Sequence, residues 1–362
     1  MQNGLSEPIF IVLRKIIFVM KKSAIILISL GTPEAPTPKG ISTFLKLFLS
    51  DCRVVEAPKI VWWFILRCIV IPLRAKKVAK AYKEIWWDGC YKKIDVKCDE
   101  ECRALCKGSP IRVITSRQVL ALQEKLNTDL DADSPLVVSA VTYGQPSIES
   151  VINDLKIKGI EHFIALPMYP QYSGSTTGAI YDQISNIIHG ARNVPDITTI
   201  KSYSNDSGYI HSLAESVKNH WEKYGRKEKL LMSFHGIPQE YADKGDPYEK
   251  HCISTANALS EELGLTNSDW SMGFQSRFGP KKWLQPYIDN QLIDCIKEGV
   301  KSVDIISPAF TADCLETLEE LNIGYRELFL EAGGKDYSYI ACVNDSPLFI
   351  SALADIVKKR LN

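Results

Sequence analysis

Short apolar runs recur along this chain, and each ends in a turn. Residues 24–30, AIILISL, run straight into Gly31-Thr32-Pro33. A run without polar alternation reads as a strand buried on both faces, as in a parallel sheet. The pattern returns at residues 136–143, 162–167, 197–203, 229–232, 270–274, 302–307 and 337–343. Between the runs the spacing turns helical. Ile41, Phe44, Leu45, Phe48 and Leu49 share one face of a helix over 38–49. Helices are also expected at 148–157, 177–189, 209–224, 247–263, 283–297, 314–330 and 347–359. After Gly108-Ser109-Pro110, residues 111–115 read as another short strand, with a helix from there to Leu126. Strands alternating with helices predict an α/β chain with doubly wound, mainly parallel sheets. Eight strands in two sets suggest two similar domains, residues 20–192 and 193–345, dividing near 192–195. Residues 346–362 then form a closing amphipathic helix.

Composition narrows the function classes. The chain has 362 residues, 45% hydrophobic and 24% charged, enough for two domains. Its 43 basic and 43 acidic residues cancel, so no global basic field exists to attract nucleic acid. No GxxxxGK or GxGxxG follows a strand, which disfavours a nucleotide enzyme. Residues 9–20 are apolar but broken by Arg14-Lys15, too short for a membrane span and not ordered as a signal peptide. Residues 1–19 therefore read as an extension, an upstream start ahead of Met20, or an amphipathic surface anchor. A cytoplasmic protein is expected, either monomer or homodimer.

Residues 59–73, KIVWWFILRCIVIPL, are the most apolar stretch after that start. Trp62, Trp63 and Phe64 are adjacent and cannot all face one core direction. The stretch is either a buried helix or one whose aromatic side meets a large apolar ligand, a membrane or a partner. Arg74, Lys76, Lys77 and Lys80 follow, as a solvated face or as cations able to hold a carboxylate at a pocket mouth.

Chemistry in such folds gathers at the carboxyl ends of strands. There the chain offers Leu30-Gly31-Thr32-Pro33, Thr142-Tyr143, the 169–177 loop, His235, Gln275-Ser276-Arg277 and residues 310–314. Glu316 and Glu320 lie four apart, on one face of the next helix. A histidine facing carboxylates, with no paired nucleophile, suits proton transfer or transient metal handling.

These segments resemble the ferrochelatase family. The matching stretches are LGTPEAPTP at 30–38, FLSDCRVVEAP at 48–58, YPQYSGSTTG at 169–178, SFHGIPQEYADKGDPY at 233–248, FQSRFGPKKWLQPY at 274–287 and PAFTADCLETLEEL at 308–321. The resemblance implies two flavodoxin-like domains with a porphyrin held between them, protoporphyrin IX and Fe²⁺ as substrates, and protohaem with two protons as products. It implies that His235 accepts a pyrrole proton or presents the metal, and that Glu316 pairs with it. Glu320 and Asp313 would extend a path for protons or metal. Leu30, Tyr143, Tyr169, Trp283 and Phe310 would contact the macrocycle, and Arg74 and Ser109 its propionates. Leu30 stands where coproporphyrin-type members have Tyr, which points to protoporphyrin IX. Cys314 replaces the His of animal enzymes, and Gly324 replaces a carboxylate that many members place one turn after Glu320. The alternatives are a cobalt or nickel tetrapyrrole chelatase and a non-catalytic haem or metal carrier.

Cys90, Cys98, Cys102 and Cys106 lie in an insertion at 88–107. Four thiols within seventeen residues point to a metal group rather than disulfides. Structural zinc is one reading, although its sites more often use closer pairs. The resemblance supplies the other, a 2Fe–2S cluster. Some members hold one partly through a C-terminal cysteine tail and a loop cysteine. Gly174 occupies the loop position here, and the four cysteines match the members that use an internal segment.

Overall fold

The computed structural model describes residues 23–88 and 106–361. Its ten described strands are β1 (Ser23–Ser29), β2 (Trp87–Asp88), β3 (Lys107–Gly108), β4 (Leu136–Val141), β5 (His162–Pro167), β6 (Asp196–Thr199), β7 (Lys229–His235), β8 (Trp270–Gln275), β9 (Ser302–Ile306) and β10 (Asp336–Tyr339). Two four-stranded sheets result, in the orders β4-β1-β5-β6 and β10-β9-β7-β8. All their pairings are parallel, as the unbroken apolar runs require. β2 and β3 form a separate antiparallel pair. They bracket the cysteine insertion, of which Cys90, Cys98 and Cys102 lie outside the described residues.

Four expectations are corrected. Residues 111–115 are helical from the start, because Pro110 occupies the first turn of a helix, Pro110–Leu130, that begins after Ser109. Proline at that position is preorganised for a helix and overrides the β-branched composition. The helix expected from 283 begins only at Ile288, beyond Pro286, which cannot donate into a helical ladder. The single helix expected at 314–330 is a π-helical stretch, Glu316–Tyr325, continued by the α-helix Arg326–Glu331. The division near 192–195 falls too early, since β6 pairs with β5 in the first sheet. The chain crosses to the second sheet between Thr199 and Lys229, through the helix Ser207–Tyr224.

One core joins the two sheets. It contains Ile25 and Leu27 from β1, Leu166 from β5, Met232 and Phe234 from β7, and Phe274 from β8. The last helix, Pro347–Lys358, packs against both Pro110–Leu130 and Ser207–Tyr224. It adds Phe349, Leu353 and Val357 to the same core. Ser346 caps this helix and Asp206 caps the one at 207, each accepting from a first-turn amide.

The strand ends are pinned where the cleft begins. Thr142 N and Tyr143 N donate to Ser29 O and Leu30 O at 2.9 and 3.0 Å, extending the β1–β4 ladder past both strands. Gly31 then turns with φ +97°, and a Cβ there would overlap the carbonyl oxygen of Tyr143. A Gly31→Ala variant therefore meets both backbone strain and a clash. It is expected to lose about 3 kcal/mol or more of stability, read from urea unfolding.

Candidate active site

His235 is the last residue of β7, half-buried beside Phe310 at a ring separation of 6.4 Å. Its Nδ1 lies 2.7 Å from the carbonyl oxygen of Gly236. A carbonyl can only accept, so Nδ1 carries the proton and Nε2 presents its lone pair. Gly236 holds this turn close, since a Cβ there would press on Gln275 O at 2.9 Å and on the Trp283 ring at 3.2 Å.

Beside His235 in the sheet stands Gln275, the end of β8 and almost wholly buried. Its carbonyl accepts from Gly236 N at 2.8 Å. Its side-chain oxygen accepts from Ser233 Oγ at 2.6 Å. Its Nε2 donates to Glu316 O at 3.0 Å and to Glu320 Oε2 at 3.1 Å. One amide thus ties the His235 strand to the π-helical stretch. Nothing in the sequence singled out this uncharged side chain beyond its place at a strand end. Ser276 follows with φ +67°, a left-handed conformation that costs a non-glycine residue about 1–3 kcal/mol. Its hydroxyl donates to the same carboxylate oxygen of Glu320, while Tyr325 OH donates to Glu320 Oε1 at 3.3 Å.

Glu316 faces the first half of the molecule. Burial, and next the Glu316 charge, raise the phenol pKa of Tyr82; burial raises that of Tyr169, to which Glu316 also adds. The buried Cys314 thiol is pushed well up by burial and then by the nearby Glu316 charge. Glu319, between the two expected glutamates, was not anticipated. Burial raises its pKa, and the neighbouring charges of Glu320 and Glu84 raise it further. It lies three residues after Glu316 and one before Glu320, so the same acidic stretch carries all three carboxylates. Asp313 precedes this stretch. It is buried, and its carboxylate accepts from Thr317 Oγ1 at 3.1 Å, Asn344 Nδ2 at 2.8 Å and Tyr339 OH. Those bonds brace the loop before the π helix.

The other expected residues line the gap between the halves. Tyr143 is buried with its OH on Asp51 Oδ2 at 2.8 Å and its ring 5.3 Å from that of Phe48. Tyr169 OH is buried beside the Thr142 side chain, and Ser109 Oγ is buried with no hydrogen-bond partner among the described residues. Leu30 is half-buried at the end of β1. Trp283 Nε1 donates to Phe278 O at 3.0 Å. Arg74 lies on the helix Ile71–Ile85, with its guanidinium 4.3 Å from the Phe278 ring centre. Opposite, Tyr241 OH donates to Val54 O at 3.2 Å and accepts from Glu56 N at 3.3 Å. Those bonds fasten the segment after His235 to the 48–58 stretch.

A family model described as Ferrochelatase matches residues 22–361. Ferrochelatase 1 of Shewanella oneidensis is 44% identical over 93% of this chain and 95% of its own. A ferrochelatase of Acinetobacter baumannii is 45% identical over 94% and 95%. Among solved structures, SirB from Bacillus subtilis with Fe³⁺ is 14% identical, with a TM-score of 0.49 over 68% of this chain and 89% of that one. The chain belongs to the ferrochelatase family, and as a lyase it inserts ferrous iron into a porphyrin in haem synthesis.

Proposed function

We propose that His235 and Glu316 are the working pair for this reaction on protoporphyrin IX. The observation that carries the reading is the hydrogen bond from Nδ1 of His235 to Gly236 O, which leaves Nε2 as a base at the cleft. Incoming Fe²⁺ replaces two pyrrole N–H protons, so charge is conserved only if both protons leave. Nε2 accepts a pyrrole proton; Glu316, held by its backbone to Gln275, is the carboxylate that meets the metal. One imidazole holds one proton, so the first must be passed on before the second is taken. Glu320 and Glu319 are the carboxylates placed to receive it, in the part of the helix where Gly324 leaves a gap. The buried Ser109 Oγ, without a partner among the described residues, supports contact with a polar ligand edge. Replacing His235 with Ala is expected to cut turnover at least about 100-fold, in line with loss of a general base. Absorbance-monitored metallation of protoporphyrin IX checks this, and full turnover in the variant would sink the assignment.

Residues 60–73 provide a surface for peripheral membrane contact. Ile60, Val61, Trp63, Phe64, Ile69 and Leu73 are all exposed there, and Arg67 lies over the Trp63 ring at 4.5 Å. Apolar side chains with a basic border suit a lipid interface. No helix among the described residues is long and apolar enough to cross a membrane. The protein on this reading is cytoplasmic and rests on the inner membrane. Substituting Trp63 and Phe64 by Glu should abolish co-sedimentation with anionic vesicles while metallation in detergent persists.

Cys90, Cys98, Cys102 and Cys106 hold a 2Fe–2S cluster in this proposal. The pairing of β2 with β3 brings the two ends of the insertion together, and Arg117 Nη2 lies 3.3 Å from Cys106 Sγ, where it would offset thiolate charge. Freshly purified protein should contain iron and acid-labile sulfide in equal amounts. A colourless protein carrying one zinc would overturn the cluster.

A further inference from the structure

The 276–283 loop belongs to the second half of the molecule and is fixed along most of its length. Ser276 is held by Glu320, and Arg277 by Asp289 and by the Tyr287 ring at 4.1 Å. Lys282 O accepts from Gln239 N at 2.9 Å, Leu284 N donates to Ile237 O at 3.0 Å, and Trp283 Nε1 donates to Phe278 O at 3.0 Å. The loop is thus strapped to the segment that follows His235. Phe278 is the exception. Its backbone is anchored while its ring stays exposed and lies against Arg74, on a helix of the first half. An exposed phenylalanine on so well tied a loop needs a reason, and Arg74 supplies it.

A guanidinium offers its five N–H donors in its plane and none from its faces. A ring stacked on one face therefore uses up no hydrogen bond. It restricts the long side chain and leaves the planar edges open for a carboxylate. Arg74 is exposed as a residue, yet its guanidinium sits among enough protein for desolvation to lower its pKa. No hydrogen bond or ion pair is formed by that guanidinium among the described residues.

We infer that Phe278 is the positioning residue for Arg74, setting its guanidinium to receive a carboxylate arm of the porphyrin across the cleft. This rests on the reading that Arg74 contacts a propionate. The ring does not touch the reacting nitrogens, so its effect falls on substrate capture. A ring from one half and a cation from the other meet only when the halves are in register, and the carboxylate is thereby recognised by the assembled cleft.

The test compares mesoporphyrin with its dimethyl ester, both metallated with Fe²⁺ in detergent by the full chain. Phe278→Ala is expected to raise KM for the diacid about fivefold, with the change confined to KM, as loss of one cation–π contact would do. KM for the ester should be the same in wild type and variant. Phe278→Trp should restore the diacid KM, and Arg74→Ala combined with Phe278→Ala should be no worse than Arg74→Ala alone. An equal rise for diacid and ester would mean that the ring packs on the macrocycle, and it would overturn the inference. So would an unchanged diacid KM in Phe278→Ala, or Arg74→Ala having no effect on the diacid. Wild-type protein that metallates neither porphyrin would instead defeat the functional reading itself.

Discussion

The side-chain amide of Gln275 is the tie on which the proposed pairing of His235 with Glu316 depends. His235 and Glu316 come from elements that do not adjoin in sequence, a strand end and a π-helical turn. Each needs a fixed position relative to the other to within a fraction of an ångström. Gln275 provides it from inside the protein, with the Ser233 hydroxyl on its oxygen and two glutamate oxygens on its nitrogen. A buried amide with every role filled holds its geometry, because any displacement leaves a polar group desolvated and unpaired. The adjacent left-handed Ser276 is the local cost of aiming a hydroxyl at Glu320 as well.

The cleft also depends on ties between the halves. Tyr241 reaches the 48–58 stretch, Gln118 donates to Thr311 O and Asn344 O at 2.9 Å each, and Thr311 Oγ1 donates to Met168 O at 3.0 Å. These bonds fasten the 308–321 segment to the helix Pro110–Leu130 and to the end of β5. The exposed ion pairs nearby, such as Lys244 with Glu56, contribute little by themselves. The directional bonds of buried groups fix the distance across the gap.

Much of this was legible in the chain. Apolar runs gave away the central strands, such as Ser23–Ser29 and His162–Pro167, because burial on two faces disfavours polar residues there. His235, Glu316 and Glu320 were legible as charged or titratable groups at strand and helix ends. The misreadings share a cause, which is that residue type was allowed to stand for environment. Ile111 and Val113 look like strand, but Pro110 at a helix start decides their conformation. Gln275 carries no charge and so gave no signal of the three bonds that it makes.

The last helix of the described chain has a consequence for the order in which the protein can be made. Phe349, Leu353 and Val357 fill one wall of the core shared by both sheets, against helices that begin at 110 and 207. On the ribosome the first half is synthesised long before that wall exists. The helix that carries Leu122 and Leu126 then packs on its own sheet but lacks the wall that the last helix supplies. The N-terminal half must wait in an unfinished state, with apolar surface exposed, until residue 358 clears the exit tunnel. Completion of the cleft is thus coupled to completion of the chain, so a truncated product would lack a finished core and could not sequester a porphyrin.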